Sequence, residues 1–418
     1  MDFNDTPEEA AFRAEARAWL AAHTAPRDAA NSLVVNQETG DFVKEFPLAR
    51  AWQAKKFDAG FGAIYFPAEV GGRGGNSLQN MIFMEEEARC DVPATNHFMI
   101  VNRGCCSLLM KKGSAAQQRD LIRPSLRGDL IWCQLFSEPG AGSDLAGVRT
   151  RAEREHGQEG DDWIVSGQKI WTSNAQLADW GVMVARTDPT VPKHKGLTFF
   201  LVDMKSPGLT LRPIKQLTGG SNFNEVFIDG LRVPDANRIG AVGEGWKVVI
   251  AFLAGERSNI AIKELQPLIA SLVQLARDTE IDGKPAIEDG GVRERIASYY
   301  IREAGVRFTV QRMLTALSRN VEPGPEIAIG KLVLGTLVQD MTAFALELMQ
   351  SQGAVMDPAH SPFAGVWQTE WLGSVVDRLG GGTDEIMRNV IGERILGLPE
   401  DVRVDKAVPF NQIGAAKV

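Results

Sequence analysis

Over roughly the first 130 positions, apolar residues recur at helical spacing. Phe12, Ala16, Trp19 and Leu20 form one stripe, and Thr6-Pro7-Glu8-Glu9 ahead of them reads as a capping box with proline at the first helical position. Gly71-Gly72-Arg73-Gly74-Gly75 predicts a mobile turn before a second helical run over 78–89. From about 131 to 239 the texture changes. Trp163-Ile164-Val165, Trp180-Gly181-Val182-Met183-Val184, Leu197-Thr198-Phe199-Phe200-Leu201-Val202 and Glu225-Val226-Phe227-Ile228 are short runs rich in β-branched and aromatic residues, punctuated by Gly, Pro, Asn and Asp. They predict short antiparallel strands. Helical patterning returns over 245–278, 291–319, 326–352 and 367–396, and four long helices suggest a bundle. The pattern predicts an α+β multi-domain chain. An N-terminal helical domain (1–130) precedes a middle antiparallel β-barrel (131–242) and a C-terminal four-helix bundle (243–400). A tail (401–418) is expected to be ordered only if it docks. No internal repeat or low-complexity tract stands out.

Composition narrows the function classes. The net charge of −8 over 418 residues, without a basic run, argues against nucleic acid as a partner. The acidic start Met1-Asp2-Phe3-Asn4-Asp5 does not resemble a signal peptide, and the apolar stretches 248–254 and 327–338 look too short to span a membrane. Cys90, Cys105, Cys106 and Cys133 contain no C-x-x-C pair, so neither a zinc cluster nor a disulfide framework is expected, and a cytoplasmic location follows. His23, His97, His156, His194 and His360 are scattered, without metal-ligand spacing. Arg127-Gly128-Asp129 is expected to be a turn before a strand.

Two stretches suit chemistry. The first is Gln134-Leu135-Phe136-Ser137-Glu138-Pro139-Gly140-Ala141-Gly142-Ser143-Asp144-Leu145-Ala146-Gly147, at the junction of helical and β patterns. Its glycines let backbone N–H groups approach a ligand, and Ser137 and Ser143 add hydroxyls. On local grounds it suits a ring edge, a phosphate or a plain interdomain turn. The second is Gln168-Lys169-Ile170-Trp171-Thr172-Ser173-Asn174. Its indole can stack on a flat cofactor with hydroxyls alongside, although an isolated tryptophan is more often a core residue.

Together these stretches resemble the acyl-CoA dehydrogenase family, which carries T/S-E-P-x-A-G-S-D followed by K-x-W-x-T/S-N. Gly382-Thr383-Asp384-Glu385-Ile386-Met387-Arg388-Asn389 is similar to that family's third block, G-T-x-x-I-x-R. The resemblance runs from Glu8 to Leu398 and implies FAD as cofactor. It places the backbone of Gln134, Phe136 and Ser137, with the Ser137 hydroxyl, at the pyrimidine edge. Gly142 and Ser143 are placed near the flavin and the CoA arm, and Trp171 against the isoalloxazine. Thr172 and Ser173 are placed near N5, Thr383 and Glu385 toward the adenosine, and Gly382 along the thioester.

Many relatives carry the catalytic glutamate directly before Gly-Thr of the third block, where this chain has Gly381. A subset carries it on the first long bundle helix, directly before an arginine. Leu253-Ala254-Gly255-Glu256-Arg257 fits that subset, so the resemblance implies Glu256 as base, with Arg257 steadying CoA or the helix. Asp384 and Glu385 are the fallback bases. Two more departures concern FAD contacts across a subunit boundary. The Arg-x-x-Phe-Gly stretch is replaced around 276–285, and Q-x-x-G-G-x-G is reduced to Gln350-Ser351-Gln352-Gly353-Ala354-Val355-Met356.

The implied reaction forms a trans-2-enoyl-CoA by α-proton abstraction and β-hydride transfer to flavin N5. A backbone N–H of Gly381 or Gly382 is expected to stabilise the enolate, and Gly255 would leave room for a bulky acyl group. Base and flavin must lie on opposite faces of the acyl chain. The resemblance further implies an electron-transfer flavoprotein as acceptor and a homodimer or homotetramer. Two alternatives stand: a flavin oxidase or monooxygenase on the same fold, and a partner subunit of a heteromeric acyl-CoA dehydrogenase.

Overall fold

A computed structural model describes residues 5–27, 42–260, 266–318 and 324–413. Helical N- and C-terminal parts flank a middle β-sheet. The first helix, Pro7–His23, begins at the expected capping box: Glu9 N–H donates to the Thr6 hydroxyl, and the Thr6 N–H donates to the Glu9 carboxylate. Phe12, Ala16 and Leu20 are buried along it. Trp19 lies beside Trp52 and Phe61, with ring centroids 5.5 and 5.1 Å away. The glycine loop is an ordered turn. Gly72, Gly74 and Gly75 donate backbone hydrogen bonds to Pro67, Phe66 and Ile64. A Cβ on Gly72 would stand 2.0 Å from the Phe66 carbonyl oxygen, so close approach explains the glycine there. Arg127-Gly128-Asp129 is a turn, with Gly128 at φ +89°.

The middle sheet has eight strands. From one edge the order is Arg238–Ile239, Leu197–Asp203, Trp180–Arg186, Arg151–Arg154, Trp163–Ser173, Phe223–Val233 and Leu209–Ile214, and Trp132–Leu135 also pairs with Trp180–Arg186. Two corrections to the expected antiparallel barrel follow. Among the described strands the sheet is open, ending at Arg238–Ile239 and Leu209–Ile214. Trp132–Leu135 runs parallel to its partner, Trp132 opposite Trp180 and Leu135 opposite Met183. Leu197–Asp203 is buried on both faces except at Asp203, which is why it reads as an unbroken apolar run.

One core joins all three parts. Cys105 and Leu109 of the helix Asn96–Lys112 meet Trp132, Phe136, Val182 and Phe199 of the sheet region, and Val248 and Phe252 of the helix Gly245–Ile260. A Cβ on Gly104 would come within 3.1 Å of the Phe252 ring, so the two helices cross closely. Asn102 ties helix to sheet. Its amide donates to the carbonyls of Ser125 and Leu130, both at 2.8 Å, and its oxygen accepts from Trp132 N–H at 3.0 Å.

The bundle contains Gln266–Asp278, Gly290–Ser318 and Ile327–Met349 around Leu272, Leu337, Met341 and Trp367. By length and mean hydropathy of 1.4, Ala328–Ala354 could cross a membrane, contrary to the sequence reading. Half of that window is buried, and Leu337, Val338 and Met341 supply bundle core. The expected long helix over 367–396 is instead divided into Val366–Gly373, Val376–Leu379 and Asp384–Val390. Gly381 and Gly382 take φ +66° and +103° in the break. A Cβ on Gly382 would lie 2.6 Å from Met387 Cε. Such left-handed backbone suits glycine and ends a helix. The tail docks on the middle sheet domain: Phe410 N–H donates to the Val191 carbonyl and Asn411 N–H to the Pro189 carbonyl, both at 2.9 Å.

Phe252 fills the junction of all three parts and is fully buried. Phe252→Ala is expected to cost about 3–5 kcal/mol and to lower the thermal midpoint in a calorimetric scan.

Candidate active site

The first candidate stretch interrupts the sheet. Trp132–Leu135 and Arg151–Arg154 both flank Trp180–Arg186, the former along 180–183 and the latter at Arg186. Residues 136–150 loop out between them. Glu138 and Ala141 exchange backbone hydrogen bonds of 3.0 Å across Pro139-Gly140, making the tip a tight turn. Gly140, Gly142 and Ser143 are exposed, and a Cβ built at either glycine would meet nothing within 4 Å.

The gap is filled by a buried charge. Lys169, fully buried in Trp163–Ser173, donates to the Phe136 carbonyl at 3.0 Å, the Val184 carbonyl at 2.9 Å and Glu138 Oε1 at 2.8 Å. Three acceptors match the three N–H donors of an ammonium. Glu138 also accepts from Arg149 N–H at 2.6 Å and Thr150 N–H at 2.9 Å. Burial raises the Glu138 carboxyl, but Lys169 and the backbone donors outweigh it and hold the group below its ordinary value. Nearby, the Arg186 guanidinium donates to the Ala146 and Val148 carbonyls.

The second stretch is fixed to the first. Ile170 N–H donates to the Ser137 carbonyl at 2.9 Å. The register on the neighbouring strand slips between Lys169, opposite Val226, and Thr172, opposite Asn224. Three steps on one strand face two on the other, so this is a one-residue bulge. Trp171 sits in it at φ +58°, a strained backbone for a bulky residue, with its side chain 57% exposed. Phe223 supports the indole edge-on, with centroids 6.1 Å apart. The Ser173 side chain is exposed with Trp171, whereas Thr172 turns inward and is fully buried. Of the two hydroxyls expected at the flavin, only Ser173 accompanies the indole.

Asn174, also at positive φ, donates its backbone N–H to the Asn222 carbonyl and its side-chain amide to the His97 carbonyl. Thr172 Oγ1, Asn174 Oδ1 and Asn224 Oδ1 are buried without hydrogen-bond partners. An exposed flat indole, an adjacent hydroxyl and open glycines fit a planar heteroaromatic group.

The other predicted residues separate. Phe136 is a core residue, 5.6 Å from Phe252 and 5.9 Å from Phe199 between centroids, so only its backbone is available to a ligand. Gln134 and Ser137 are half-buried. The third block packs on the bundle. Thr383 accepts from Ile386 N–H as a helix cap, and Glu385 is exposed. Asp384 is buried in an ion pair with Arg378 at 2.7 Å, while Arg378 also bonds Gln339, which defines an anchor rather than a base. Glu256 and Arg257 belong to Gly245–Ile260, and their side chains fall outside the described residues.

Lys169 stands in the second stretch without an expected role. Its signal was a charge in phase with Trp163 and Val165, the buried positions of an alternating strand.

Three acyl-CoA dehydrogenase family models match: the N-terminal domain over 6–129, the middle domain over 133–230 and the C-terminal domain over 243–396. Acyl-CoA dehydrogenase IpdE1 of Mycobacterium tuberculosis is 36% identical over 397 residues, covering 94% of this chain and 98% of that protein. Among solved structures, the Tcur3481-Tcur3483 steroid ACAD superposes with a TM-score of 0.77 at 26% identity, over 96% of this chain and 100% of that one. The ChsE4-ChsE5 complex from M. tuberculosis gives 0.74 at 25%, over 96% and 100%.

Lys169→Met leaves Glu138 buried without its counter-charge and is expected to cost about 3–5 kcal/mol. Adding Glu138→Gln should recover part of that loss. Because the folded Glu138 carboxyl is depressed, its contribution is complete above the ordinary carboxylate range and is lost as pH falls through the folded value. Denaturation midpoints of wild type and both variants between pH 7 and pH 3 check both points.

Proposed function

Because this chain belongs to the acyl-CoA dehydrogenase family, a family of FAD-dependent oxidoreductases, we propose that it introduces a double bond between Cα and Cβ of a CoA thioester, with Glu256 as the base. One observation carries this reading: the exposed Trp171–Ser173 face is locked to the glycine loop through Lys169 and Glu138. Trp171 would support the flat ring system and Ser173 would donate to its edge. The amides around Gly140, Gly142 and Ser143 would hold polar atoms of FAD or of the CoA arm, and Thr383 and Glu385 would face the adenosine. Bound FAD supplies the acceptor for the β-hydride.

The chain's own groups do the rest. Glu256 takes the α proton onto its carboxylate, and a backbone N–H at Gly381 or Gly382 donates to the carbonyl oxygen as negative charge grows there. At 381 the left-handed backbone favours glycine, which supports a base located elsewhere. The helix Gly245–Ile260 supports Glu256 as that base. It is anchored by Phe252 against Phe136 of the flavin loop, one helical turn before position 256.

A ring-bearing acyl group is the proposed substrate class. The likeness to a steroid ACAD supports it, as does Gly255 beside the base. Exposed Tyr300, Ile301 and Phe308 on Gly290–Ser318 support a dimer or tetramer through the bundle. An electron-transfer flavoprotein is the proposed acceptor. Gly381 and the likeness to the ChsE4-ChsE5 complex favour a second reading, in which the chain is one subunit of a heteromeric dehydrogenase.

The visible spectrum of the purified chain tests these readings, recorded before and after anaerobic addition of linear, branched and steroid-side-chain acyl-CoAs. At least one thioester should bleach the flavin, and Glu256→Gln should slow bleaching by about 10²–10⁴-fold. Bound flavin that no thioester bleaches, but that turns over with oxygen, supports an oxidase. A chain that binds no flavin alone supports the partner subunit.

A further inference from the structure

The family match ends at residue 396, yet the chain beyond it returns to the middle sheet domain and grips the flavin loop. Lys193, 12% exposed, bridges Asp144 at 2.9 Å and Asp405 at 2.6 Å. Asp144 belongs to the glycine loop and Asp405 to the tail. Five residues on, Phe410 lies over the Arg186 guanidinium at 3.6 Å from the ring centroid, with Arg149 at 5.6 Å. Arg186 is the residue whose guanidinium holds the Ala146 and Val148 carbonyls at the end of the same loop. It also donates to the Lys193 carbonyl at 2.7 Å. Backbone bonds from Phe410 and Asn411 to Val191 and Pro189 complete the attachment.

We propose that residues 403–413 are a clamp that holds the 137–148 loop in its FAD-binding shape, with Asp405 and Phe410 as positioning residues acting through Lys193 and Arg186. The inference rests on the reading of that loop as the flavin loop. The physical case is desolvation. Phe410 shields the Arg186 guanidinium from water, which strengthens its bonds to the loop carbonyls and adds cation–π attraction. Asp405 balances Lys193, so that the lysine stays fixed over Asp144 instead of swinging into solvent. Each contact is modest alone. Both act on the C-terminal half of one glycine-rich loop, at Asp144 and at Ala146 and Val148, where ordering glycine backbone costs the most entropy.

The test compares full-length protein with a chain truncated after Asp401 and with Asp405→Asn and Phe410→Ala. Two quantities are read: FAD dissociation, by flavin fluorescence, and amide exchange over 140–147. The truncated chain should bind FAD on the order of tenfold more weakly, with faster exchange in the loop and unchanged exchange in Trp180–Arg186. The point variants should follow in the same direction, and Asp405→Glu should restore binding. Should truncation prevent folding, the point variants decide. Unchanged FAD affinity and unchanged loop exchange would overturn the clamp. A full-length chain that binds no FAD refutes the flavin reading instead, and loop exchange alone then decides whether the clamp exists.

Discussion

The architecture depends on one ammonium group placed where a sheet is incomplete. The strand Trp180–Arg186 is paired on one side along its whole length, but on the other only along 180–183 and at Arg186. The loop that interrupts this second edge leaves the carbonyls of Phe136 and Val184 without strand partners, and Lys169 reaches both. An orphaned buried carbonyl costs about 1–3 kcal/mol, and a buried unpaired charge considerably more. Satisfying all of them at one point makes the loop an allowed part of the sheet. Because the next residues are Ile170 and Trp171, the same contact fixes the bulge. The backbone strain at Trp171, about 1–3 kcal/mol, is borne by a network that has no slack to release it.

Close backbone approach is the second constraint. Gly104 lets the helix Asn96–Lys112 meet Phe252, and a Cβ on Gly245 would stand 2.7 Å from the Leu197 carbonyl. The helix Gly245–Ile260 is thus held at its start by a strand and at its middle by a ring. Its far end, which carries Glu256, extends beyond both anchors.

Much of this was legible in the chain. The capping box at Thr6, the apolar stripe through Leu20 and the aromatic strands announce themselves locally. Sheet closure did not, because it depends on whether two edges meet in space. The parallel direction of Trp132–Leu135 is equally a long-range property. The break at Gly380-Gly381-Gly382 was hidden inside a plausible helical period, although three glycines are a physical reason for it. Thr172 and Ser173 could not be ranked, because a single extra residue in a strand exchanges which side chains face out. The tail's attachment rests on Lys193 meeting Asp405, 212 positions later.

The parallel pairing of Trp132–Leu135 also has a meaning during synthesis. Trp132, Cys133 and Leu135 are fully buried in the finished fold, but their partner strand reaches Met183 only later. At a translation rate of about 5–20 residues per second, the first strand waits roughly 2–10 seconds for its neighbour. Over that interval the N-terminal helices can gather around Asn102 while the apolar strand beside them has no sheet to enter. Until Trp180–Arg186 emerges, the ribosome-bound chain thus carries an apolar strand that lacks this sheet partner.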